Sequence, residues 1–255
     1  MPIYEDFAVT GNSSIYATVC NRTTATAAPL IMAVPFGRTD SARPIPLLSS
    51  AQCRRLAQIA TTVHFAKRAR IYEEGESAEY IYNLLAGEVK TFSLLSSGHY
   101  RIVAFLRAGD LVGLAENGTY TSTAQAITPV TANRLPFQSL ERLLRSDPDL
   151  LYPFLCKLRD ELRAAQLHAM LLGRRDADGK IAMFLRDRGT EFDAAPSSTF
   201  VPMTRSDVAA YLGLSLEAVS RSLRHLQRRG VIRFTDRHRI EIIDHPRLEA
   251  IVSGI

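Results

Sequence analysis

Apolar and polar positions follow two rhythms along this chain. From Val63 to about Leu140 they fall in short runs separated by turn residues. Ile81–Leu85 reads as a strand, Gly87–Leu95 puts Val89, Thr91 and Ser93 on one face, and Arg101–Leu106 forms the return strand after a Ser97-Gly98 turn. Arg70-Ile71-Tyr72, Ala124–Ile127 and Ala132–Leu135 add strands, with Glu74-Gly75-Glu76 and Ala108-Gly109-Asp110 as punctuation. Many short strands at regular turn spacing predict a small antiparallel barrel or roll. Upstream, Ser49–Ala60 has the pattern of a short amphipathic helix with Leu56 and Ile59 inward. Met1 to about Arg43 is rich in Thr, Ala, Ser and Asn, holds no sustained period, and is expected to be flexible or loosely packed.

The second rhythm begins at Asp147-Pro148-Asp149, a helix start with Pro tolerated in the first turn and acids at the positive end of the dipole. Leu151, Leu155, Leu158, Leu162, Ala165, Ala169 and Leu172 then step alternately by four and three. An amphipathic helix packed on its own domain needs an apolar stripe but not this regularity. A seam held for about three heptads, with small Ala165 and Ala169, predicts a parallel partner helix and hence a homodimer. Gly173 ends the helix, and Arg174–Gly179 is the expected hinge. Lys180–Arg188 opens the last domain, and a loop over Thr190–Ser198 follows.

Helical periodicity returns between Thr204 and Gly230. Thr204 followed by Asp207 is a capping-box variant, so a helix starts at Arg205 with Val208, Ala209 and Leu212 on its apolar face. Gly213 supplies a turn and Ser215 an N-cap. Val219, Leu223 and Leu226 form the inner stripe of a second helix that Gly230 ends. Two helices joined by a short Gly-containing turn predict a helix-turn-helix. Glu217 and Arg221 lie four apart on the outward face with Ser220 beside them. Glu217 can accept from a cytosine or adenine amino group, and Arg221 can donate bidentately to guanine. The plain alternative is a surface helix with a Glu–Arg pair. Arg205, Arg224, His225, Arg228 and Arg229 are placed to meet phosphates. Val231–Phe234 and Ile240–Ile243 then read as a hairpin whose tip carries Arg237 and Arg239, a basic wing suited to the DNA backbone.

Composition narrows the picture further. The 255 residues are ample for two domains, and the 46% hydrophobic content is that of an ordinary globular chain. A net charge of +5 suits a polyanionic partner. No run approaches a membrane helix, and Glu5 and Asp6 precede any basic residue, the reverse of a signal peptide. Cys20, Cys53 and Cys156 are too scattered for a disulfide framework, so a cytoplasmic location is expected. No nucleophile–base arrangement, metal spacing or phosphate loop points to an enzyme.

The segment from Met203 to Ile232 resembles the DNA-binding segment of the cAMP receptor protein/FNR superfamily. The pattern Glu217-x-x-Ser220-Arg221 resembles its FixK-like branch, and Tyr72–Phe92 and Arg107–Leu114 resemble the family's effector roll. The resemblance implies an α+β fold: a flexible extension over 1–45, a cyclic-nucleotide-binding-like β-roll over 46–146, a dimerisation helix over 147–173 and a winged helix-turn-helix over 174–255. It also implies that Glu217, Ser220 and Arg221 read TTGAT-type half-sites in double-stranded DNA. The inverted repeat would be bound by a dimer that activates low-oxygen or nitrogen-fixation genes through contact with RNA polymerase.

Two family cofactors find no counterpart in the residues. A buried cyclic phosphate needs a cation, and Ala108–Asn133 contains neither Arg nor Lys, so cAMP is not expected. An iron–sulfur cluster of the usual kind wants four thiolates, and the chain has three cysteines. The alternative is a ligand-controlled member sensing a gas through haem, with His64, His99 or His168 as axial ligand, or through another effector that is not cAMP.

Overall fold

The computed structural model describes residues 28–36, 44–96, 98–115, 117–189, 198–236 and 238–254. The first half is a roll of two four-stranded antiparallel sheets. One sheet has the order β3 (Thr61–Phe65), β10 (Val130–Pro136), β5 (Tyr80–Ala86), β8 (Leu111–Val112). The other has the order β4 (Arg70–Tyr72), β9 (Thr123–Ala126), β6 (Val89–Leu94), β7 (Tyr100–Leu106). The predicted strands all form. Ser97 lies outside the described residues, but its turn closes through Leu95 N–H donating to the His99 carbonyl. At the β5–β6 turn Gly87 has φ +89, and a Cβ there would stand 2.2 Å from the Pro129 carbonyl oxygen, so only glycine fits.

Leu84, Val89, Ala124 and Ala132 are fully buried between the sheets. Beside them Tyr72 and Tyr120 stack with centroids 3.8 Å apart, and Tyr82 lies 6.2 Å from Tyr72. The Tyr120 hydroxyl donates to the Tyr80 carbonyl at 2.8 Å, which satisfies its polar end. Burial, then the neighbouring Tyr120, push the Tyr82 hydroxyl up to about 12.

The N-terminal expectation is corrected over 28–36. Leu30 is bracketed by the buried Asn83 side chain, whose Oδ1 accepts from its N–H at 2.7 Å while Nδ2 donates to its carbonyl at 2.5 Å. Ile31, Met32 and Ala33 are buried, and β1 (Met32–Ala33) pairs with β2 (Ile45–Pro46). A boundary at residue 45 therefore cuts a packed unit. Composition missed it because the anchoring Asn83 lies far along the chain. The rest of the expected loose segment, 1–27 and 37–43, lies outside the described residues.

The short helix α1 (Ser50–Ile59) carries a capping box between Ser49 and Gln52, with Leu56 buried and Ile59 half-buried. A second helix, α2 (Phe137–Ser146), was not predicted; Pro136 at its N-cap makes no side-chain hydrogen bond. The long helix α3 (Pro148–Gly173) runs 26 residues. Pro153 lies inside it and lacks an N–H, which frees the Asp149 carbonyl one turn back; Gln52 Nε2 donates to that carbonyl at 2.9 Å. Leu150 and Phe154 are buried on the face toward the roll, and Cys156 is buried as well. Lys157 donates to Asp110 at 2.5 Å, tying the helix to the loop before β8.

On the other face Leu151, Leu155, Leu158, Leu162, Ala165 and Ala169 are all exposed, up to 62% at Leu162. Leu172 departs from the expected seam: it is half-buried against the core of the C-terminal half. The hinge is also shorter than expected. The next helix, α4 (Ala177–Gly189), already contains Gly179, which is buried with its N–H donating to the Asp176 carboxylate at 2.7 Å. Only residues 174–176 connect the two helices.

Candidate nucleic-acid interface

The C-terminal half packs α4, α5 (Arg205–Leu212), α6 (Leu216–Arg228) and α7 (His245–Ser253) against a three-stranded sheet. Thr204 and Asp207 form the predicted box: Thr204 Oγ1 accepts from Asp207 N–H at 3.0 Å, and Asp207 Oδ2 accepts from Thr204 N–H at 3.1 Å. Gly213 takes the left-handed conformation with φ 62° and ψ 41° and closes α5 through an N–H donated to Ala209. Ser215 Oγ accepts from Ala218 N–H at 3.1 Å and starts α6. Val219, Leu223 and Leu226 are buried, so the opposite face of α6 must look outward.

That outward face presents Glu217 and Arg221, both exposed, with Ser220 half-buried between them. Among the described residues no ion pair engages Glu217 or Arg221, so the plain Glu–Arg surface pair does not form. Arg221, Arg224, Gln227 and Arg228 line an open groove of about 340 Å³, a concentration of three guanidinium groups on one helix face. Arg224 Nε donates to the Ser220 carbonyl at 3.1 Å, and exposed Arg205 reaches Ser220 Oγ at 3.5 Å.

Not all of the basic run faces this groove. His225 Nδ1 is 2.5 Å from Asp178 Oδ2, so α4 holds it and it is not free to meet phosphate. The wing strands are β12 (Ile232–Phe234) and β13 (Arg239–Ile242), with Arg233 paired to Glu241 across them. A third strand, β11 (Ser198–Phe200), was missed; it flanks β13 and its Thr199 is buried. Arg239 begins β13, 3.7 Å from Asp236, with its guanidinium 5.7 Å from the centroid of the Phe200 ring. Arg237 and residues 190–197 of the expected loop lie outside the described residues.

A helix with an open reading face, a basic groove and an antiparallel wing is the geometry of a winged helix-turn-helix. A family model for the Crp-like helix-turn-helix domain matches residues 179–251, and one for the cyclic nucleotide-binding domain matches residues 62–147. The chain is 34% identical over 210 residues to the nitrogen fixation regulation protein FixK of Bradyrhizobium diazoefficiens, covering 81% of this chain and 88% of that one. It is 30% identical over 210 residues to the transcriptional activatory protein AadR of Rhodopseudomonas palustris, covering 81% of this chain and 87% of that one. The solved structure of FixK2 from Bradyrhizobium japonicum matches with a TM-score of 0.71 at 34% identity, over 76% of this chain and 97% of that one. With roll, long helix and reading helix matched together, the chain belongs to the cAMP receptor protein/FNR family of transcription regulators, in its FixK-like branch.

Proposed function

We propose that the protein acts as a cytoplasmic homodimer that binds TTGAT-type inverted repeats and, through contact with RNA polymerase, activates genes of low-oxygen respiration or nitrogen fixation. The observation that carries this is the outward face of α6, where Glu217 and Arg221 are exposed one turn apart beside Ser220. A carboxylate and a guanidinium at that spacing match adjacent amino and O6/N7 edges in the major groove. The exposed seam from Leu151 to Ala169 supports the dimer, since an unpartnered row of leucines on a long helix is what a second copy would cover. A two-fold dimer presents two such helices to two half-sites. The similarity to a nitrogen fixation regulation protein and a transcriptional activatory protein supports the sense of the control.

In this reading neither cAMP nor an iron–sulfur cluster decides when the protein binds. A cyclic phosphate in the roll would be desolvated without a cation from Ala108–Asn133, and three tyrosine rings already pack inside the roll. His168 stacks on Tyr211 at 4.0 Å with Nε2 2.8 Å from the Tyr211 carbonyl oxygen, so the haem alternative would have to fall to His64 or His99. Purified full-length protein should bind a TTGAT inverted repeat in air with no ligand added. Binding that appears only after an effector is supplied would overturn this reading in favour of a ligand-controlled regulator.

A further inference from the structure

Two charged side chains, one from the β5–β6 turn and one from the start of β6, reach from the roll into the DNA-binding half. Glu88 accepts from Arg188 Nη2 at 2.5 Å, and Lys90 donates to Asp207 Oδ1 at 2.6 Å. Glu88 stands just before β6 and Lys90 is the second residue of β6, and both side chains reach into the DNA-binding half. Their partners stand at the ends of two different helices: Arg188 in the last turn of α4 and Asp207 in the first turn of α5. Asp207 thus has two tasks, since Oδ2 completes the capping box with Thr204 while Oδ1 takes the lysine of the roll. Tyr100 of β7 adds its hydroxyl 3.5 Å from the same oxygen. Phe105 packs nearby with its centroid 5.0 Å from Tyr211 and 6.2 Å from Phe184.

The side chains of both pairs are only 6–15% exposed, a setting in which charges tolerate one geometry and little else. The two charges, Glu88 before β6 and Lys90 within it, are of opposite sign. A slide of the strand by two residues would set Glu88 on Asp207 or Lys90 on Arg188, like charge against like. Such a pattern selects one docking register and penalises its neighbours.

We propose that Glu88 and Lys90 are positioning residues for DNA reading: a two-charge clasp that fixes the recognition helix relative to the dimerisation helix and so sets which half-site spacing is accepted. The inference rests on the dimeric reading proposed above. The chain of constraint is continuous. The roll is fastened to α3 through Lys157–Asp110 and the buried Leu150 and Phe154, and β6 carries that frame to α4 and α5.

The test uses full-length protein and a series of duplexes whose two TTGAT half-sites are separated in single-base-pair steps, with a one-half-site duplex alongside. Wild type should show a sharp optimum. Lys90→Met and Glu88→Gln should each lose roughly tenfold at that optimum, because loosely held modules meet their second half-site at lower effective concentration. Off-optimum duplexes should lose less, so the profile flattens, and one-half-site affinity should stay unchanged. Glu88→Arg combined with Arg188→Glu should restore the sharp profile that each single change flattens. A wild-type profile retained by both Lys90→Met and Glu88→Gln, with thermal melts showing them folded, would overturn the clasp. So would an equal loss on the one-half-site duplex, which would mean that the helix-turn-helix itself was damaged. Wild type with no spacing optimum would sink the dimeric reading, and the clasp with it.

Discussion

Lys180 donates its buried ammonium to the carbonyl of Leu212 at 3.0 Å, and the same nitrogen reaches the Leu172 carbonyl at 3.2 Å. Leu212 ends α5 and Leu172 stands in the last turn of α3, so one lysine joins the ends of the long helix and the first helix of the helix-turn-helix. Helix C-termini carry unsatisfied carbonyls and partial negative charge, which is why a cation is stable there without a carboxylate. Lys180→Met keeps the apolar stem and removes both bonds. The expected loss is about 2–4 kcal/mol of stability in urea unfolding, from two charged hydrogen bonds and the carbonyls left behind. A loss near zero would mean that water satisfies those carbonyls equally well.

Glu161 makes the stability pH-dependent in a definite sense. Its Oε1 is buried with no hydrogen-bond partner among the described residues. Burial raises its pKa from an ordinary 4.5 to about 7; nearby Lys157 lowers it and Asp110 raises it. The fold therefore favours the protonated acid. That contribution is fully present below about pH 4.5 and is lost as pH rises through 7. Glu161→Gln should flatten the stability curve across this window and raise stability at pH 8 by on the order of 2–3 kcal/mol. Parallel curves for wild type and variant would show that the group titrates normally.

The parts of this fold that were legible in the sequence are those that a local rule decides. Thr204 with Asp207, Gly213 and Ser215 act within four residues of themselves, and the stripe of Val219, Leu223 and Leu226 repeats at helical period. What escaped depends on partners far along the chain. Lys90 and Asp207 are 117 positions apart, and nothing near either marks the contact. Lys180 looks like one more surface lysine until two helix ends converge on it. The segment Leu30–Ala33, with its two-residue strand Met32–Ala33, is too short for a period, and its pinning residue Asn83 reads as a polar fault inside a strand. His225 was grouped with its basic neighbours because sequence order gives no view of Asp178.

The proposed dimer seam separates two kinds of apolar residue on one helix. Leu155 and Leu162 are 53% and 62% exposed, whereas Leu150 is fully buried against the roll. Leu155→Glu combined with Leu162→Glu should therefore leave the monomer fold within roughly 0.5 kcal/mol per site, as for other surface changes. In a dimer the same changes bury charge in the seam. Sedimentation should show wild type as a dimer and the double variant as a monomer, and binding of the variant to an inverted repeat should fall to that of a single half-site. A dimer that survives both changes would place the interface elsewhere.

Arg221 and Arg228 line the same groove on α6, but the reading proposed here gives them different work. Arg221 lies one turn after Glu217, near the N-terminal end of α6 that enters a major groove first. Arg228 is in the last turn, two turns farther along the helix. Arg221→Ala should cost about 1–3 kcal/mol on a TTGAT half-site, and much less on a half-site in which the guanine is already replaced. Arg228→Ala should weaken binding to every duplex alike and lower the slope of affinity against salt by about one unit, as expected for one lost phosphate contact. Affinity measured for both variants on matched and guanine-substituted duplexes, at several salt concentrations, separates the roles. If Arg221→Ala produced the uniform, salt-sensitive loss instead, base reading would have to pass to Glu217 and Ser220, and the specificity assigned to this face would shrink accordingly.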